Sequence, residues 1–161
     1  MFKLSLALVA TLALAGTANA AALTERNMPL ALATGLAQAS LDACAAEGHN
    51  VSVAVVDRAG NLRALMRADA AGPHTLDSAQ RKAYTAASTR TLTSVMAENI
   101  AKNPSAAQLV TLEGFLVLAG GVPVKVGDET IGAIGIGGAP AGAIDEACAV
   151  AAIEQLGAEL N

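Results

Sequence analysis

Aromatic side chains are almost missing from this sequence: among 161 residues there are two phenylalanines, one tyrosine and no tryptophan. With Phe2 at the extreme N-terminus, only Tyr84 and Phe115 remain in the body of the chain, too few for a platform on which nucleobases stack. Charge is scarce too, at 15% Asp, Glu, Lys and Arg against roughly 25% in ordinary soluble domains. The balance is acidic, with a net charge of −4. Without a basic cluster the surface is not built for a phosphate backbone, which argues against nucleic acid as a partner. So little charge beside so much alanine and glycine predicts that other subunits cover part of the surface, as in a homo-oligomer. Histidine occurs at positions 49 and 74 alone, and neither stands with a Ser or Cys in a nucleophile motif. Ordinary hydrolase chemistry is therefore disfavoured, and no catalytic residue is identified.

Cysteine is limited to Cys44 and Cys148. Neither has a second Cys or a His at metal-ligand spacing, so a zinc site is not expected. Two readings of the pair stand side by side. In an oxidising compartment they join and close a loop of about 100 residues; otherwise they are two small buried apolar residues in Ala-rich helices.

Long apolar runs are confined to the N-terminus, where Lys3 precedes the stretch Leu4 to Gly16 and then Thr17-Ala18-Asn19-Ala20. That is the order of a secretory signal peptide with cleavage after Ala20, and it is shorter than the roughly 20 residues of a spanning helix. Residues 1–20 are thus expected to be a cleavable signal peptide and 21–161 a single domain, periplasmic or secreted. About 140 residues suffice to bury close to 70% of the surface of the unfolded chain.

Residues 24–47 carry an apolar stripe at helical spacing, with Thr24 or Asn27 as alternative N-caps and Gly48 as the stop. If Thr24 is the cap, Pro29 kinks the helix; if Asn27 is, Pro29 falls in the first turn. Valine-rich 51–57 and the segment 62–68, separated by Arg58-Ala59-Gly60-Asn61, predict a hairpin. Helices follow over about 75–88 and 93–101, the second ended by Asn103-Pro104. A second hairpin is expected from strands 122–126 and 130–136 across Gly127-Asp128, then an Ala-rich helix over 142–159 with Asp145 and Glu146 in its first turn. Tight turns between paired strands imply a mainly antiparallel sheet covered by helices.

Three segments carry a resemblance: VAVVDRAGNLRALMRADAAGP at 53–73, SAQRKAYTA at 78–86, and GGVPVKVGDETIGAIGIGGAPAGAIDEACA at 120–149. In that order they resemble the HbpS/GlcG family, which holds extracellular haem-binding proteins, glycolate-operon proteins and the C-terminal domain of PduO-type proteins. The resemblance implies an α+β fold, a three-layer α-β-α sandwich with a profilin-like arrangement, assembled into dimers or higher oligomers such as octamers. For exported members it implies haem or iron binding, with haem degradation.

Several residues are candidates for holding such a group. His74, between a Gly-Pro loop and a helix, is either an axial iron ligand or a surface histidine at a helix start. Tyr84 is either a phenolate ligand or a core aromatic; the resemblance implies a threonine near the iron, for which Thr85 on the same helix is the candidate. Arg81 and Lys82 either pair with haem propionates or another small carboxylate, or form a solvated face. Gly137 and Gly138 lie between a strand and a helix, where backbone N–H groups either receive an anion or make a tight turn. Pro140 occupies the third glycine of G-x-G-x-x-G, so this is not a nucleotide fingerprint. The leading expectation is an exported haem-binding protein. Its rival is a non-catalytic oligomer that binds a small carboxylate or presents a surface to a membrane sensor.

Overall fold

The computed structural model describes residues 22–157, so the expected signal peptide at 1–20 and the end of the last helix at 158–159 lie outside the described residues. Among the described residues no helix is long and apolar enough to cross a membrane. Helix α1 spans Leu30–Ala46. It starts later than the apolar stripe predicts, because Pro29 has no N–H and an extended backbone (ψ 152°), and it takes the N-cap position instead of a place within the first turn. Residues 22–29 carry no regular structure. Asn27 does not cap the helix; its side-chain Oδ1 accepts from the Met28 and Arg58 N–H groups and pins this arm to the first strand turn.

Strands β1 (Ser52–Asp57) and β2 (Leu62–Arg67) form the first hairpin, and β3 (Gly121–Val126) and β4 (Glu129–Gly137) the second. The hairpins join through β1 and β4, which are antiparallel with Val53 opposite Ile136, and the strand order is β2-β1-β4-β3. Between them come helices α2 (His74–Thr89) and α3 (Thr93–Lys102), then a 3₁₀ segment at Pro104–Thr111 where a stop at Asn103-Pro104 was expected. The Asn103 side chain accepts from the Ser105 N–H and starts a new tight turn across that proline. Helix α4 (Gly142–Gln155) closes the described chain.

The alternation of β1 divides the core in two. Val53 and Val55, with Ile134 and Ile136 of β4, face α1 and α4 and form the larger cluster with Leu32 and Leu36. Ala54, Val56 and Ala133 face the opposite way, against Ala79, Ala83 and Ala86 of α2. The result is the expected three-layer α-β-α sandwich. Cys44 of α1 and Cys148 of α4 are bridged, with Cα atoms 5.4 Å apart and a sequence separation of 104.

Over the middle of β4 helix α2 presents Ala79 and Ala83, and there the helix lies directly on the strand backbone. A Cβ at Gly135 would overlap the Ala79 carbonyl oxygen and the Ala83 nitrogen, both backbone atoms that cannot swing aside. Gly135→Ala is therefore expected to cost about 2–3 kcal/mol, an overpacking penalty that urea unfolding followed by circular dichroism measures. A variant as stable as the native protein would mean that α2 can lift from the sheet at no cost.

Candidate functional site

Helix α2 separates its polar side chains by direction. Lys82 is three residues from Ala79 and four from Ala86, so helical spacing places it on the buried side. It is 2% exposed, and its ammonium donates to Asp145 Oδ2 and to the Ile136 carbonyl, each at 2.8 Å. The other Asp145 oxygen accepts from the Ala139 N–H at 3.1 Å. Burial pushes the Asp145 carboxyl above the usual carboxylate range, against the opposing pull of Lys82, of the Ala139 N–H and of His49. The expectation that Lys82 meets an external carboxylate is thus corrected, since its charge is spent inside the fold.

The glycine turn is accounted for in the same way. A Cβ on Gly137 would overlap the Ser78 hydroxyl, and one on Gly138, whose φ is 134°, would stand 2.8 Å from the Asn50 carbonyl oxygen and 3.0 Å from the Val51 Cα. The anion beside this turn is the protein's own Asp145 carboxylate, held at the Ala139 N–H. Gly137 and Gly138 serve close packing and a turn rather than an open anion cradle.

Thr85 is also committed. Its hydroxyl donates to the Arg81 carbonyl and accepts from the Leu116 N–H, both at 2.8 Å, which fastens the loop after the 3₁₀ segment onto α2. This corrects the placement of the Thr85 hydroxyl near iron: it is fully buried and occupied on both sides.

The outward side of α2 does form a cleft, of about 400 Å³, lined by Asp77, Gln80, Arg81 and Tyr84 together with Gly60 of the β1–β2 turn and the Glu113-Gly114 loop. Arg81 stays at this surface, donating to the Phe115 carbonyl at 2.6 Å and pairing with Asp77 at 3.6 Å. Tyr84 is 37% exposed, so it is not a core aromatic, and its hydroxyl has no hydrogen-bond partner among the described residues. Its ring lies between two glycines: a Cβ on Gly60 would stand 2.6 Å from it and one on Gly114 3.1 Å. Phe115 meets the ring edge-on, with centroids 6.0 Å apart.

His74 lies at the first position of α2, exposed, with its ring against Gly72, and does not line the cleft. Ten residues of helix put it about 15 Å from Tyr84, too far for both to ligate one iron. His49 lines a second, more apolar cavity of about 490 Å³ between α1 and α4, with Glu47, Ile144 and Cys148. Sequence reasoning did not single out Asp77, Gln80 or the Glu113-Gly114 loop as cleft residues. Helical spacing relates Asp77, Gln80 and Tyr84 as one stripe, but nothing local joins them to position 113. Among the described residues no group of three or more His, Cys, Asp or Glu is arranged to hold a bare metal ion.

The chain as a whole is similar to several known proteins. A family model described as haem degrading protein HbpS-like matches residues 28–154. Protein GlcG of Escherichia coli K12 is 36% identical over 105 residues, which cover 65% of this chain and 77% of GlcG. The crystal structure of HbpS superposes with a TM-score of 0.79 at 41% identity, covering 84% of this chain and 94% of that one. A crystal structure of a PduOC complex with heme has a TM-score of 0.71, covering 80% of this chain and 94% of that one; at 21% identity it shows a common fold.

Proposed function

This chain belongs to the HbpS-like family of haem degrading proteins, and from that premise we propose that it binds haem in the cleft on the outward side of α2, outside the cytoplasm. The observation that carries the reading is Tyr84, an exposed phenol whose hydroxyl has no partner among the described residues, held between Gly60 and Gly114 at a surface shared with Arg81. A phenolate oxygen is a hard ligand suited to ferric haem, and a guanidinium beside it offsets the negative charge. A tetrapyrrole brings four ring nitrogens of its own, so one protein ligand is enough where the described residues hold no cluster of metal-binding side chains. When bound, the group supplies redox and oxygen chemistry; the chain supplies position and a ligand. The neighbour crystallised with heme supports the choice of guest.

At about 400 Å³ the cleft is at the small end of ligand pockets, so a flat macrocycle would project from it and need a second copy as cover. Apolar side chains left exposed from α3 through the following loop, Val95, Leu109, Val110, Leu112 and Leu118, support such a homo-oligomer. Support for export comes from the N-terminal signal pattern and from the Cys44–Cys148 bridge, a bond at home in an oxidising compartment.

Titrating the protein with hemin tests the site. Tyr84→Phe is expected to weaken binding by at least about tenfold, the loss of one charge-assisted contact, and to abolish the phenolate-to-iron charge-transfer band, while His74→Ala leaves both unchanged. The reverse pattern would move the iron to the start of α2, and no binding by the native protein would end the haem reading.

A further inference from the structure

The cleft leaves one requirement of its proposed guest unmet: haem carries two carboxylates, Lys82 is committed to Asp145, and Arg81 is tied to Phe115 and Asp77. Strand β2 offers what is missing. It is an edge strand, and its alternation sends Ala64 and Met66 towards the α1 side of the sheet, where they pack on the larger core. Leu65 stands opposite Ala54 and Leu62 opposite Val56, both residues of the α2 side, so Leu62 and Leu65 share that side. A register shift between Val55 and Val56 inserts Arg63 as the extra residue, and the bulge aims it to the same side as Leu62. Arg67 follows Leu65 by two and shares its face.

The outcome is a shelf beside α2 with two leucines, 42% and 38% exposed, between and beside two exposed arginines. Among the described residues the arginines with carboxylate partners are Arg58 and Arg81; Arg63 and Arg67 have none. The shelf runs along the helix. Gly60, three residues before Arg63, touches the Tyr84 ring, whereas Arg67 pairs with Ser52, whose hydroxyl is 2.6 Å from that of Thr75 in the first turn of α2. An edge on which two leucines alternate with two guanidinium groups that have no carboxylate partner among the described residues, in a chain of net charge −4, complements a flat apolar molecule with two carboxylates on one edge.

We propose that Arg63 and Arg67 of the bulged edge strand receive the two propionates of a haem whose iron is held at Tyr84. The assignment rests on the haem reading above and adds the residues that select a dicarboxylate. Guanidinium and carboxylate form charge-assisted, often bidentate pairs, and in this place they cost the fold nothing, since both side chains are in solvent.

The test compares hemin with its dimethyl ester, by absorbance titration of the native protein and of an Arg63→Gln/Arg67→Gln double variant. Hemin is expected to bind the double variant about 10- to 100-fold more weakly, with the difference shrinking as salt rises; the ester, which has no charge to pair, binds both proteins equally. Equal hemin affinity for the two proteins would overturn the assignment while leaving haem at Tyr84 intact. Equal loss with the ester would overturn it as well, because the arginines would then act through packing. An edge-protecting role alone would appear as self-association of the variant with hemin affinity preserved, which also refutes the assignment. Failure of the native protein to bind hemin overturns this assignment together with the reading it rests on, and is distinguished from the other outcomes by the native titration itself.

Discussion

Replacing Lys82 by methionine is expected to cost about 3–5 kcal/mol at neutral pH, the penalty for leaving one half of a buried ion pair alone. The side chain is 2% exposed and its ammonium is the cation on Asp145, at 2.8 Å, in a place water does not reach. In a chain of this length that is a fall of at least about 10 °C in the thermal midpoint, read by differential scanning calorimetry. The loss has a definite pH dependence. Burial already holds the Asp145 carboxyl above its ordinary value, and removing Lys82 removes its largest opposing influence. Between the unfolded and the raised folded value the native state binds more protons than the unfolded one, so this group favours folding at low pH and that advantage disappears as pH rises. The variant should therefore regain part of its deficit on going from pH 7.5 towards pH 5. A Lys82→Met/Asp145→Leu double variant removes both charges and should recover much of the loss, apart from about 1–2 kcal/mol for the Ala139 N–H left without its acceptor. A single variant as stable as the native protein at neutral pH would show that the pair is solvated.

The disulfide carries an effect of similar size through the opposite state. Joining Cys44 to Cys148 across 104 residues of sequence restricts the unfolded chain, and on the loop-entropy model a loop of about 100 residues is worth about 4–5 kcal/mol. Cys44→Ala/Cys148→Ala is expected to lose about 2–5 kcal/mol, because the smaller side chains also leave space between α1 and α4. Dithiothreitol should destabilise the native protein by a comparable amount and leave the double variant unaffected. Equal sensitivity of both to the reductant would mean that the two sulfurs are not bonded in solution.

These two devices differ in how far the sequence shows them. A pair of cysteines in a chain with an export pattern states that a bridge can form, but not that the carriers of Cys44 and Cys148 lie side by side. The buried pair is hidden for a simpler reason: Lys82 and its neighbour Arg81 look alike in sequence as two adjacent cations. Adjacent helical residues point about 100° apart, and the alanines at 79, 83 and 86 already marked the side on which Lys82 lies.

Tyr84 shows the same division at the candidate site. Its identity is local, and so is the helix that carries it. Its exposure depends on Gly60 and Gly114, which approach from a strand turn and a distant loop and leave the ring space without covering it. Thr85, its neighbour, is sealed by Leu116 of that same loop, so one position faces the cleft and the next is closed.

The four helices, the two hairpins, the layered α+β class and the family are legible in periodicity, turn residues and motifs read over a few positions at a time, whereas the α1 start at Leu30 and the 3₁₀ segment at Pro104–Thr111 are not. Packing settles that β1 and β4 join the hairpins, that Lys82 turns to Asp145, and that the face which Arg63 and Arg67 share by strand alternation lies beside Tyr84. The reason is that each of these depends on the packing of segments tens of residues apart, and no local pattern records which side chain such a neighbour will cover and which it will leave in water.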